Sequence, residues 1–89
     1  MIKPEIFENV KIYPNPANDF VYLNFSEEEF EKVLISVANI QGFIISTEKY
    51  TNITSGQIIG LKVSGLPVGQ YFIRIGDGIH SKSFLVIKY

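Results

Sequence analysis

The sequence predicts an all-β fold, a small antiparallel β-sandwich of immunoglobulin-like architecture with about seven strands. Three observations indicate this class. Short apolar runs are separated by turn signals at intervals of about 8–12 residues. Of the 89 residues, 46% are hydrophobic and 13% aromatic, which suits one ordered domain rather than a disordered chain. No stretch shows a convincing helical period. A small closed barrel is the alternative architecture.

The start of the chain predicts a linker and then a strand. Residues 1–9 are mixed in character and are interpreted as a linker remnant, so the domain is expected to span residues 10–89. Val10–Tyr13 reads as a short strand that ends at Pro14-Asn15-Pro16, because proline cannot donate to a β-ladder. The next predicted strand is Phe20–Phe25, with alternate residues on its inner face.

The middle of the chain predicts a polar connection and a hairpin. The acidic segment 26–32 could include a helical turn, since Ser26 is a fair N-cap. Residues 33–40 alternate as a strand does, and Gln41-Gly42 predicts a hairpin that leads into residues 43–48.

Two turn signals organise the second half. Polar residues 50–56 are expected to form a loop, and a strand over residues 57–63 follows, in which Gly60 marks a close backbone approach or a bulge. Gly76-Asp77-Gly78 predicts a hairpin into a last strand over residues 81–87.

A compact turn directly before an alternating strand forms the anchor of the predicted core. Pro67 fixes its own φ and Gly69 can adopt a positive φ, so residues 66–69 predict a tight turn. Leu66 is expected to pack beneath Tyr71. The alternation predicts three core-facing residues: Tyr71, Ile73 and Ile75.

Composition excludes several classes of function. There is no cysteine, so disulfides, thiolate chemistry and cysteine-based zinc sites are excluded. Eight Lys and Arg against nine Asp and Glu give a net charge of −1, which argues against nucleic-acid binding. The apolar runs are far shorter than the roughly 20 residues that span a bilayer, so membrane insertion is not expected.

The titratable residues do not predict a catalytic or metal site. His80 is the only histidine, and no second histidine or cysteine could complete a zinc site or a nucleophile–base pair. The acidic cluster Glu27, Glu28, Glu29 and Glu31 lacks the spacing of a loop that wraps calcium. We therefore expect a non-enzyme with no cofactor and no metal.

Three aromatic residues are predicted on the faces opposite the core: Phe20, Tyr22 and Phe72. They could form a patch that stacks on sugars or binds a protein. Alternatively, the neighbouring sheet or the N-terminal lead-in covers them.

Four segments in order resemble a known family. They are Tyr13-Pro14-Asn15-Pro16 followed by Asp19, an apolar strand leading to a hairpin at Gly42, a turn and strand containing Leu66, Gly69 and Tyr71, and a final basic and apolar strand over residues 81–89. Over residues 10–89 the chain resembles the C-terminal sorting domains of the type IX (Por) secretion system of Bacteroidetes.

The resemblance implies a folded secretion signal at the C-terminal end of a larger cargo protein. The cargo would be a protease, glycoside hydrolase or adhesin that reaches the periplasm and then crosses the outer membrane through the type IX translocon. A sortase-like surface cysteine protease would remove the domain by cleavage in or before residues 1–9. The expected location is the periplasm in transit, then the outer-membrane surface or the medium.

The last strand is the predicted docking element. As a sheet edge it would offer unpaired N–H and C=O groups to the translocon or sortase, through Lys82, Phe84, Val86, Lys88 and Tyr89 with its carboxylate. Alternatively, this strand only completes the core and its lysines blunt the edge against aggregation. The competing function is an immunoglobulin-like accessory module that binds carbohydrate or protein.

Overall fold

The computed structural model describes residue 7, residues 9–26 and residues 28–89. Within these residues the chain forms seven β-strands and no helix. The strands are β1 (Val10–Tyr13), β2 (Phe20–Phe25), β3 (Phe30–Asn39), β4 (Ile44–Ile53), β5 (Gln57–Lys62), β6 (Gly69–Gly76) and β7 (Ser81–Lys88).

The strands form two antiparallel sheets, which confirms the predicted sandwich. The three-stranded sheet has the order β1-β2-β5, and the four-stranded sheet has the order β4-β3-β6-β7. Because β4 pairs with β3, it lies in the same sheet as β6 and β7. In constant-type immunoglobulin domains the fourth strand pairs with the fifth instead.

Alternating residues of both sheets meet in one core, as the strand pattern predicts. The three-stranded sheet contributes mainly β2 and β5, and the four-stranded sheet contributes β3 and β6. Burying each aliphatic side chain stabilises the fold by about 1.5–3 kcal/mol. The predicted inner residues are all buried: Val21, Leu23, Phe25, Val33, Ile35, Val37, Ile59, Leu61, Val63, Tyr71, Ile73 and Ile75.

Two predictions about the polar segments are wrong. Residues 50–53 are not a loop, because β4 continues to Ile53, which is buried and pairs with Phe30. The described residues between β2 and β3 contain no helical turn, and β3 begins at Phe30. Ladder hydrogen bonds join backbone groups, so polar residues such as Thr51 can continue a strand up to an apolar residue that reaches the core.

The predicted turn over residues 66–69 is also misplaced. Its hydrogen bond closes earlier, from the Leu66 N–H to the Val63 carbonyl at 3.0 Å. Gly69 is already the first residue of β6, with a nearly extended φ of +159°. The Tyr71 hydroxyl donates to the Pro67 carbonyl at 2.6 Å and thereby ties the turn to the strand.

The N-terminal lead-in reaches into the core at Phe7. Its side chain is fully buried and its ring stacks on Phe30 at 4.8 Å between centroids. The Phe7 N–H donates to Glu28 Oε1 at 2.7 Å. Other residues of the predicted linker, 1–6 and 8, lie outside the described part of the chain. The packed fold thus reaches at least three residues beyond the predicted boundary at Val10.

Candidate functional site

The strand β7 lies at one edge of the four-stranded sheet, so one side of its backbone is not paired with β6. In an antiparallel strand the N–H and C=O of one residue point to the same side, and the side alternates from residue to residue. Hydrogen bonds that join Leu85 and Ile87 to the segment 15–17 show that the backbone N–H and C=O groups of the odd-numbered residues of β7 point away from β6. These residues are Ser81, Ser83, Leu85 and Ile87.

The C-terminal half of this edge is already occupied. Asn15 donates from Nδ2 to the Leu85 carbonyl at 3.0 Å and accepts at Oδ1 from the Ile87 N–H at 3.0 Å. Ala17 donates to the Ile87 carbonyl at 2.8 Å and accepts from the Tyr89 N–H at 3.0 Å, which makes a parallel bridge. We call the segment 15–18 the clamp.

The proline motif explains why the clamp exists. Pro14 and Pro16 have no N–H, so β1 cannot continue its ladder with β2 beyond Tyr13. The chain leaves the three-stranded sheet there and crosses to β7. Asn18 extends the clamp by donating from Nδ2 to the Tyr89 carbonyl at 2.9 Å.

The N-terminal half of the same edge is open. No described residue hydrogen bonds to the outward backbone groups of Ser81 and Ser83, or to the Leu85 N–H. The structure therefore divides one strand into a clamped half and an open half, which we call the open edge (residues 81–85).

The predicted recognition residues mostly face inward. Val86 is buried, and Lys88 is only 7% exposed, with Nζ donating to the Tyr89 carbonyl at 2.7 Å. Phe84 packs against the core and carries Lys82 Nζ 5.3 Å from its ring centroid. Tyr89 is exposed.

Two solvent-facing side chains of β7 were not among the predicted recognition residues. Leu85 and Ile87 are exposed, and they lie between the inward residues. The run from 84 to 87 is apolar at every position, so it has no alternation to reveal its faces. The signal was in β6, whose clear alternation fixes the faces of β7 through the hairpin register Tyr71↔Val86.

The remaining family-motif residues build turns. The Asp19 carbonyl accepts from the N–H groups of Val63 and Ser64, at 2.7 and 3.1 Å. Gly42 has φ of +94° in the predicted hairpin, a conformation that favours glycine. That hairpin is also closed by a residue not singled out, Asn39, whose Oδ1 accepts from the N–H groups of Gln41 and Phe43.

The predicted aromatic patch is divided between two faces. Phe20 and Tyr22 lie on the outer face of the three-stranded sheet, together with Tyr13. Phe72 lies on the outer face of the four-stranded sheet, opposite Ala38 and Leu85. Phe20, Tyr22 and Phe72 therefore do not form one patch.

The outer face of the four-stranded sheet is concave. A groove of about 510 Å³ lies across it, lined by Leu34, Ala38, Ile44, Phe72 and Ile79 among others. Ile44 and Ile79 are strongly exposed. This face adjoins the open edge through Ser81 and Ser83, which also line the groove.

The β6–β7 hairpin is held by a carboxylate. Asp77 Oδ1 accepts from the N–H groups of Ile79 and His80, at 2.9 and 2.6 Å. These bonds, chiefly that from the His80 N–H, lower the pKa of Asp77. His80 Nδ1 lies 3.4 Å from Asp77 Oδ2, so the single histidine belongs to a turn.

One tyrosine of β4 has a shifted pKa. Burial and the hydrogen bond from the Tyr50 hydroxyl to Glu48 raise the pKa of Tyr50 to about 12. Among the described residues, no three His, Asp or Glu side chains come together to hold a metal ion. None of the described elements is a helix of the length and apolarity needed to cross a membrane.

The fold is a small β-sandwich in which one sheet edge is half covered. Over residues 11–88 the chain matches the family described as the secretion system C-terminal sorting domain, and it belongs to that family. The matched residues include the clamp, the hairpin at Gly42 and the whole of β7. No curated protein matches the chain.

Membership fixes the general role. The domain is a C-terminal sorting signal of the type IX secretion system of Bacteroidetes, and it serves a cargo on its N-terminal side. Such signals act in export across the outer membrane, to the cell surface or the medium. The family is a family of signals and is not catalytic.

Proposed function

We propose that the open edge of β7 is the surface through which this domain docks to the type IX outer-membrane translocon after its cargo has entered the periplasm. The observation that carries this proposal is the end of the clamp at Leu85. Ser81, Ser83 and the Leu85 N–H keep outward backbone groups that an extended partner segment can pair with. Strand addition of this kind supplies main-chain hydrogen bonds without a deep pocket.

The predicted recognition residues take two roles in this proposal. Lys82 and Tyr89 reach solvent at the two ends of the strand and are candidates for direct contact with the translocon or the sortase. Phe84, Val86 and Lys88 face inward and hold the strand in place. In this proposal the strand both completes the core and docks, whereas the alternative drawn from the sequence gives it the core role alone.

Removal of the domain follows export in this proposal. A sortase-like surface cysteine protease cuts the linker on the N-terminal side of Phe7. Proteases bind extended, accessible chain, whereas Phe7 is fully buried and its N–H is bonded to Glu28. The position of Phe7 thus narrows the predicted range for the cleaved bond.

A reporter fusion tests the sorting function. A periplasm-targeted reporter is joined to residues 1–89 and expressed in a type IX-competent cell and in a translocon mutant. We expect surface or extracellular reporter in the first strain and periplasmic reporter in the second. Periplasmic retention in both strains would argue that the domain is not sufficient for sorting.

Mass measurement of the released domain tests the cleavage. We expect a fragment that still contains Phe7. A fragment that begins after Phe7 would show that the protease opens the fold before it cuts, and the proposed position would be wrong.

A second candidate function is an accessory module that stays on a secreted enzyme and contacts carbohydrate or protein. The exposed aromatic residues on the outer face of the three-stranded sheet favour it. The reporter fusion separates the two, because an accessory module does not need the translocon to reach its final location.

A further inference from the structure

The outer face of the three-stranded sheet carries an exposed aromatic surface that is separate from the open edge of β7. Tyr13, Phe20 and Tyr22 are 40%, 40% and 38% exposed. The Tyr22 ring centroid lies 6.0 Å from those of both Tyr13 and Phe20, and the Phe20 and Tyr22 planes differ by 16°. We call these three rings the aromatic platform.

A glycine lies beneath two rings of the platform. Gly60 of β5 is directly opposite Tyr22, and a Cβ on Gly60 would lie 3.3 Å from Tyr22 Cε1 and 3.7 Å from Phe20 Cδ1. Both rings therefore lean over the glycine backbone. Covering a glycine in this way is a structural use of an aromatic ring. Both side chains remain partly exposed to solvent.

The charges on this face have one sign. Lys62 pairs with Phe20 across the ladder. Lys11 pairs with Asn24, the next residue after Tyr22 on the same face of β2. The outward residues of β1, β2 and β5 include no Asp or Glu; they are Lys11, Tyr13, Phe20, Tyr22, Asn24, Ile58, Gly60 and Lys62. In a chain of net charge −1, two lysines beside partly exposed aromatic rings make a local surface that favours an anion.

We propose that the aromatic platform binds an acidic polysaccharide. The apolar C–H faces of the sugar rings stack on Phe20, Tyr22 and Tyr13, as flat amphipathic rings do on aromatic faces. Carboxylate or sulfate groups of the polymer pair with Lys11 and Lys62. The surface lies on the outer face of a sheet, which suits a linear polymer of rings better than a compact ligand that needs a cleft. This activity is independent of the open edge of β7.

Affinity electrophoresis of the 89-residue chain tests the proposal, with polygalacturonate as the acidic probe and pullulan as the neutral one. We expect polygalacturonate to retard the chain more strongly than pullulan, and the difference to shrink with added salt. Phe20→Ala should weaken retardation by about five- to tenfold, the value of one aromatic stacking contact. Phe72→Ala is the matched control on the other sheet and should change nothing.

A double variant and a matched control test the two lysines. Lys11→Gln with Lys62→Gln should abolish the preference for the acidic polymer. Lys32→Gln with Lys49→Gln removes the same charge from exposed positions of β3 and β4 and should leave the preference intact. Thermal unfolding of each variant shows whether it is folded, and the lysine pairs still decide the question where Phe20→Ala is destabilised.

Three results would overturn the proposal. One is equal retardation by the two polymers, and another is equal behaviour of Phe20→Ala and Phe72→Ala in folded chains. The third is concentration-dependent dimerisation that Phe20→Ala abolishes, because a second copy of the chain would then be the occupant of the platform.

Discussion

The two edges of the four-stranded sheet differ in how they are protected. On one side, the clamp covers half of β7 with backbone and side-chain hydrogen bonds from Asn15 and Ala17. On the other side, β4 is ten residues long, and no described strand pairs with its outer side. Exposed edges invite pairing with other chains, and proteins usually blunt them.

The comparison shows what the proline motif contributes. Glu48 and Lys49 put charge on β4, which blunts that edge along its middle. On β7 the motif does more than blunt. The motif fixes the C-terminal half of the strand, and its hydrogen bonds stop at Leu85. The unpaired edge that remains is therefore short. A motif that predicts only a turn from the sequence thus also covers one half of a distant strand.

The largest expected effect comes from the anchor that brings the N-terminal chain to the fold. Phe7→Ala removes a fully buried ring from its stack on Phe30 and should lower the free energy of unfolding by about 3–5 kcal/mol. Phe43→Ala is the matched control, since Phe43 is 72% exposed, and it should change stability by less than about 0.5 kcal/mol. Urea titration of both variants measures the difference.

Equal midpoints for these two variants would mean that Phe7 does not hold the chain ahead of β1. The packed fold would then begin at Val10.

An intermediate effect is expected from the clamp itself. Asn15→Ala removes two hydrogen bonds to β7 and should cost about 1–3 kcal/mol, while Asn18→Ala removes one and should cost about 0.5–1.5 kcal/mol. Amide hydrogen exchange should show faster exchange of the Ile87 N–H in Asn15→Ala, because that group loses its acceptor. If Ile87 keeps its protection, Asn15 is not what closes the edge.

The smallest effect concerns the hairpin that starts β7, and it depends on pH. The pKa of Asp77 is lowered in the fold, so the unfolded chain takes up the proton first as the pH falls below about 4. The contribution of Asp77 to stability is thus present at neutral pH and is lost as the pH falls through the folded pKa.

Thermal unfolding between pH 7 and pH 2.5 measures this contribution. Asp77→Asn keeps an acceptor oxygen for the Ile79 and His80 N–H groups, so its midpoint should fall less steeply with acid than that of the native chain. Asp19→Asn, which removes an aspartate from a loop away from this hairpin, is the control. Parallel pH profiles for Asp77→Asn and the native chain would show that Asp77 does not contribute to the pH dependence of stability.

Much of the fold could be predicted from the sequence because it depends on local patterns. Alternation in β2, β3 and β6 placed the core residues correctly, and the hairpin signals at Gly42 and Asp77 were confirmed. The wrong predictions fall in segments that have no regular apolar alternation. Thr51 and Asn52 are polar, yet β4 continues through them to the buried Ile53 and pairs with β3.

The clamp could not be predicted because it joins residues about 70 positions apart in the chain. The prolines indicate only that β1 stops, and nothing local shows that Asn15 then meets β7. The same limit explains why the sequence left the faces of β7 undetermined. The run Phe84-Leu85-Val86-Ile87 offers two apolar faces, and only the register with β6 decides between them.

The most direct test of the open edge compares one proline substitution on each edge of the sheet. Ser83→Pro removes an outward N–H of β7, and Lys49→Pro removes the corresponding outward N–H of β4, as the alternation and registers indicate. Proline is tolerated at such edge positions because the lost N–H has no ladder partner. Both variants are made in the reporter fusion, and thermal unfolding confirms that each is folded.

We predict that Ser83→Pro abolishes export of the reporter and that Lys49→Pro does not. Normal export of a folded Ser83→Pro fusion would contradict the claim that the open half of β7 is where the secretion machinery docks.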